Sequence, residues 1–344
     1  MPMRPLALWL ALAALLSLVA GCGNGAASTA GSAGPSGTAP AGASPPSAKQ
    51  LPKPSGASTA TPTSSVAIKA LDPAAPFKIG VTLHPYYSWV ANVVGDANGV
   101  EVVAVLPSEI DAGDYQPSPD DIRKLVDLQA IVVNGVGHDD FVGDMLKASG
   151  NTAAVVIRAN EGTPMLPGAH GEAVNSHTFI SFTNAIQQTY AIAKVLGELR
   201  PDLNEKFQAN ADDYAKRLRK IKADASTKLA AAKTKRVVTV HDGYSYLCQE
   251  FDVAVAGVVQ PSHGLTPSAE ELGGIVDMLV KEKIDVILTE ESFPEKMLDV
   301  VRKARPVRVY VISHVAKGKY RAAEFEEVMK ENADTLVKAL VTDG

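Results

Sequence analysis

Between residues 77 and 160, short apolar runs alternate with stretches of helical spacing. The run 78–83 (KIGVTL) predicts a buried strand that ends at His84-Pro85. Residues 86–94 repeat their apolar positions at helical intervals and stop at Gly95. A second strand pattern spans 100–106 and is closed by Pro107; 130–134 (AIVVN) gives a third and 153–157 a fourth. Ser118-Pro119-Asp120-Asp121 carries the marks of a helix start: a serine cap, proline in the first position and acids in the first turn. Strands that alternate with helices over such short distances predict a parallel sheet covered on both faces.

After His177 the period lengthens. Residues 183–199 are helical and break at Arg200-Pro201-Asp202. From 202 to 232, Phe207, Ala211, Tyr214, Leu218, Ile221, Ala225 and Leu229 recur at steps of three and four, forming one apolar stripe. A rod of that size is about 45 Å long, more than either flanking region needs. Alternation then restarts: strand 236–240 ending at His241, helix 244–251, strand 253–259 and helix 268–281. Strand 286–289 ends at Glu290-Glu291, helix 295–304 follows, strand 307–312 precedes His314, and helix 322–341 closes the chain. The fold class read from this pattern is α/β. Two lobes, 76–201 and 233–344, each hold a mainly parallel sheet flanked by helices, and one long bridging helix, 202–232, joins them.

The first 75 residues are of another kind. Arg4 precedes an apolar run from 6 to 20, about 15 residues, too short for a membrane span and typical of a secretory signal peptide. Leu18-Val19-Ala20-Gly21-Cys22 resembles the bacterial lipobox, which implies a signal peptide over 1–22, acylation of Cys22 and attachment to a membrane. Residues 23–75 read as a disordered tether. As far as residue 65 they are almost wholly Ala, Gly, Ser, Thr and Pro, which cannot bury enough surface to offset their ordering entropy. The expected location is extracytoplasmic, lipid-anchored to a bacterial membrane in the periplasm or at the cell surface.

A balance of 33 basic and 38 acidic side chains argues against a nucleic-acid partner. Two cysteines rule out a cysteine zinc ribbon, an iron–sulfur cluster and a disulfide-stapled fold. With Cys22 committed to lipid, Cys248 remains a lone thiol, read as a small buried apolar residue.

Ligands of parallel α/β sheets bind beyond the carboxyl ends of the strands. His84, His241, Glu290-Glu291 and His314 all occupy such positions. Imidazole with carboxylate suits zinc, and manganese or iron as carboxylates increase. No HExxH, GxSxG or Walker motif is present, and GVGH at 135–138 is too short for a dinucleotide loop, so an enzyme finds no support.

The region 77–343 resembles the zinc/manganese-type, metal-binding solute-binding lipoproteins of bacterial ABC importers. The resemblance rests on 78–94 (KIGVTLHPYYSWVANVV), 114–119 (DYQPSP), Asn134-Gly135, 175–179 (NSHTF), the 202–232 rod, 240–246 (VHDGYSY), and Met329, Asn332 and Leu336. It implies a metal held in the cleft between the lobes. His177 matches the ligand of the family's Asp-Pro-His motif. His241 matches the histidine that zinc-type members carry where manganese-type members carry glutamate. The family's first histidine falls on Gly113, which has no ligand atom; either Asp114 steps in or His84 reaches the metal, and His84 is preferred because it keeps the site rich in nitrogen. The fourth family ligand aligns with Pro294. Glu290 is taken as its substitute, with Glu291, Glu295 or a water as alternatives.

The expected ligand set is therefore His84, His177, His241 and Glu290, holding Zn2+ as cargo with Mn2+ as the runner-up. His138 and Asp139 are read on the rim of the first lobe and His263 at the cleft mouth, as groups behind the ligands or along the ion's path. His170 falls in a short Gly-rich loop, and His314 is read as structural. The resemblance implies a monomer that delivers its ion to an ABC permease. Alternatives are a manganese or iron binder of the same fold, or an adhesin or zinc store without a permease. Affinity is expected to fall steeply below about pH 6, because metal binding needs neutral imidazoles.

Overall fold

The computed structural model describes residues 68–168, 173–260, 268–290 and 293–343. Cys22 and the tract before residue 68 lie outside the described residues, as do His170, His263 and Glu291.

Four short strands, β1 (Phe77–Val81), β2 (Val100–Ala104), β3 (Ala130–Val133) and β4 (Val155–Arg158), pair in parallel in the order β2-β1-β3-β4. The order recurs further along the chain: β5 (Arg236–His241), β6 (Ala254–Gln260), β7 (Val286–Thr289) and β8 (Arg308–Val311) pair as β6-β5-β7-β8. In each sheet the connections leave the first strand in opposite directions, which opens a crevice at the carboxyl ends. The central strands β3 and β7 are buried along their whole length, as the unbroken apolar runs require when helices cover both faces. β2 is shorter than its apolar run because Val105 and Leu106 leave the strand while staying buried.

Local chemistry sets the helix ends. Helix α1 (His84–Val94) stops at Gly95, whose φ of +58° suits a glycine. Ser118 and Asp121 form a reciprocal capping box that starts α2 (Pro119–Lys124). Helix α3 (Val142–Ser149) lies between β3 and β4, and Ser181 caps α4 (Phe182–Leu199) through the N–H of Asn184. The long helix is α5 (Asn204–Leu229), preceded by one 3-10 turn; Phe207, Ala211, Tyr214, Leu218, Ala225 and Leu229 are its buried stripe. Helices α6 (Ser245–Glu250), α7 (Ala269–Lys281) and α8 (Glu295–Ala304) flank the second sheet, and α9 (Glu324–Val337) follows β8 and runs on into a π-helical turn, Lys338–Thr342.

One apolar core runs from Phe77 to Leu340 and takes in the first sheet, α1, α4, α5 and α9. Helix α9 packs on α5 and α1, and its Phe325 meets Trp89 edge to face at 5.2 Å. The segment between β8 and α9 thus crosses back onto the first lobe. Along the way Gly318 N–H donates to Ser108 O, the Tyr320 hydroxyl to Leu106 O, and Ser88 and Asn92 donate to the carbonyls of Arg321 and Ala322. A smaller core, including Val238, Val240, Leu272, Ile287 and Leu298, underlies α7 and α8. Among the described residues no helix is long and apolar enough to cross a membrane.

Candidate metal centre

Three histidines converge at the carboxyl ends of the two sheets. One ligand atom from each of His177, His241 and His314 lies within 4.8 Å of the others. All three side chains are buried, with 8%, 3% and 7% of their surface exposed. Their ring centroids stand 4.7–4.8 Å apart, a spacing that suits three imidazole donors around one ion.

Each ring is set by its own backbone neighbourhood. His241 ends β5, and its Nδ1 accepts from Gly243 N–H at 2.7 Å. Taking a metal through Nε2 therefore requires the ring proton to leave or to move to Nδ1. Position 243 has to be glycine here: a Cβ would collide with His314 Nε2 and sit 2.9 Å from His241 Nδ1. His177 donates from its backbone N–H and from Nδ1 to the same atom, Asn175 Oδ1, at 3.0 and 2.9 Å, which turns Nε2 outward as a donor to metal. Asn175 in turn donates to the carbonyl and the carboxylate of Asp242 across the cleft. The Tyr246 hydroxyl, donating to Asn175 O at 2.7 Å, fixes the same loop from the second lobe.

His314 follows β8. Asn332 brackets the preceding residue, accepting from Ser313 N–H and donating to Ser313 O. Val315, the next residue, has a φ of +62°, a strained backbone for a β-branched side chain and one that persists only where its surroundings hold it. On the far side, Asp111 approaches His314 Nδ1 and also accepts from Gly113 N–H. Asp111 thus sets a carboxyl group directly behind the His314 ring.

His138 flanks this group. Its ring lies edge-on to His177 with centroids 4.4 Å apart. Asp139 beside it is buried and accepts from the Thr82 hydroxyl and from the N–H groups of Asn134 and Gly135. Burial pushes the Asp139 carboxyl upward from its ordinary pKa, against the pull of those three bonds.

Two of the four residues expected from sequence, His177 and His241, come together. The other two do not. His84 is the first residue of α1, and its ring is claimed by the segment crossing back from the second lobe: Nε2 donates to Lys319 O at 3.1 Å and the ring stacks on Tyr320 at 5.1 Å. Glu290 turns the chain from β7 toward α8, its carbonyl accepting from Phe293 N–H, and its carboxylate is not in the histidine group. The side chain of Asp114, the alternative at that end, lies outside the described residues. His314, read as structural, is a member of the group. The available signal was its place just past a strand end, shared with His241.

A sequence-family model described as "Zinc-uptake complex component A periplasmic" matches residues 79–339. The chain belongs to this family. Among solved structures the family member is similar to the SBP FpvC of Pseudomonas aeruginosa. That protein, in complex with Ni2+, is 40% identical, with a TM-score of 0.72 over 78% of this chain and 98% of that one. The same protein with Mn2+ gives 40%, 0.72, 78% and 100%. The high-affinity zinc uptake system protein ZnuA of Bacillus subtilis is 22% identical over 76% of this chain and 86% of that protein. The zinc-binding lipoprotein AdcA of Streptococcus pneumoniae is 25% identical over 77% of this chain, which spans 56% of that protein.

Proposed function

We propose that this protein captures a divalent transition-metal ion, zinc foremost, outside the cytoplasmic membrane and delivers it to an ABC permease for import. The observation that carries this reading is the convergence of His177, His241 and His314 from two lobes, with donor atoms within 4.8 Å. Imidazole donors suit zinc and nickel better than manganese, which prefers oxygen ligands. A second reading of the ion, nickel or manganese, is supported by the FpvC complexes at 40% identity. The role is capture rather than catalysis, in keeping with an uptake component. Cys22 is the proposed lipid attachment and the tract that follows it the tether, a reading supported by the lipoprotein AdcA among the relatives. The protein acts as a monomer.

The test is competition on chelator-stripped protein: zinc, nickel and manganese titrated against a chromophoric chelator, in wild type and in His177→Ala, His241→Ala and His314→Ala. Nanomolar or tighter zinc binding, weakened by each substitution, is the expected result. Failure to bind any of the ions tightly refutes capture. Metal-loaded protein should also stimulate the ATPase of its permease; an adhesin or zinc store would bind the ion and leave the ATPase unchanged.

A further inference from the structure

We propose that His138 is a further metal ligand of this centre, so that the first lobe supplies His138 and His177 and the second supplies His241 and His314. The inference deepens the metal-capture reading and rests on it.

The first support is a shared positioning device. Asn134, wholly buried, donates one amide hydrogen to Gly137 O at 2.8 Å and the other to Ser176 O at 3.0 Å. These are the carbonyls directly before His138 and His177. One carboxamide therefore sets both histidines by the same means, and the His138 ring meets that of His177 at 4.4 Å, beside the group of three whose donor atoms lie within 4.8 Å of one another. Asn134 is itself fixed: its Oδ1 accepts from the Tyr86 hydroxyl at 2.8 Å and from Asn160 Nδ2 at 2.6 Å.

The second support is the backbone. His138 has a φ of +67°, uncommon for a residue with a side chain. Such conformations persist where the surroundings over-determine them, and they concentrate at ligand clamps. Here Asp139 over-determines the turn by gripping Thr82, Asn134 and Gly135 at once.

The third support is Gly113. A Cβ on that residue would lie 3.0 Å from His138 Nδ1 and 3.6 Å from its Cε1. The His138 ring therefore occupies the space a side chain at 113 would take, next to the Asp111 that approaches His314. The ligand atom that Gly113 cannot offer comes instead from a different loop of the same lobe. Four imidazoles and no carboxylate donor would favour zinc or nickel over manganese.

The experiment uses the full chain as wild type, His138→Asn and His177→Ala, with asparagine chosen at 138 because it tolerates the left-handed backbone. Zinc affinity is measured by competition, and the visible spectrum of the Co2+-loaded protein reports the donor set. For His138→Asn the expected result is a loss of zinc affinity beyond about 100-fold, the upper end of what losing a group that merely supports a ligand typically costs, with a changed cobalt spectrum. A smaller loss with an unchanged spectrum makes His138 a support and overturns the assignment. Unchanged affinity and spectrum in His138→Asn, with zinc lost in His177→Ala, also overturns it and leaves the three-histidine centre standing. If neither substitution alters zinc binding, the metal-capture reading falls and the role of His138 falls with it.

Discussion

Asp111 Oδ2 lies 3.3 Å from Nδ1 of His314, a residue 203 positions further along the chain and in the other lobe. A carboxylate behind a metal-binding imidazole fixes the ring's tautomer and raises its basicity. Because the pair spans the cleft, the arrangement that readies His314 is the one in which the lobes are together. Asp111→Asn is expected to weaken zinc binding by about 10–100-fold without unfolding the protein. Competition titration beside circular dichroism measures this, and a change within twofold would show that His314 needs no such partner.

His84, displaced from the metal group, carries a pH dependence of its own. Burial lowers its pKa, against the Lys319 carbonyl, the Glu324 carboxylate and the Gly318 carbonyl. The unfolded chain therefore takes up a proton below about pH 6.5 that the folded protein refuses. The stability carried by the neutral ring is whole above that pH and is lost as pH falls through 6.5 toward the lower folded value. In metal-free protein, the drop in melting temperature between about pH 7.5 and about pH 5 should be smaller in His84→Gln than in wild type. An equal drop would assign the dependence to other groups.

Cys248 is wholly buried in α6, and burial alone pushes its thiol up to about 12. The native protein should resist a maleimide at about pH 8, since the thiolate is the reactive form, and should react once unfolded in urea. Rapid labelling of the native protein would mean that α6 opens readily.

Phe325 is fully buried against Trp89. Phe325→Ala is expected to cost about 3–5 kcal/mol, read from the urea midpoint, and to shift Trp89 emission to the red. A midpoint unchanged from wild type would show that α9 adds nothing to the core.

The sheets were legible because central parallel strands are apolar throughout, and α5 because six of the seven residues in its apolar stripe are buried, with Ile221 half-buried. Ser118 and Gly95 marked helix ends through their own chemistry. His177 and His241, which the structure brings together, each sit in a local motif. What draws the His84 ring away from that pair, the Lys319 carbonyl, lies 235 residues distant and leaves no local mark in the sequence. Glu290 stands outside the histidine group for a related reason: a strand end presents a residue near the crevice without saying which way its side chain turns. His314 was hidden in the same way, since its partner Asp111 and its bracket Asn332 are brought to it only by the fold.

The return of α9 to α1 constrains the order in which the molecule can be finished as it is made. Trp89 leaves the ribosome long before Phe325 does. A growing chain with every strand of the first sheet complete still lacks Phe325, Met329 and Leu336, which share one core with Trp89 and Tyr86. The core of the first half to be synthesised gains these side chains only once α9 has been made. A chain broken off within α9 would be left with an open apolar face and the hazard of aggregation that such a face brings.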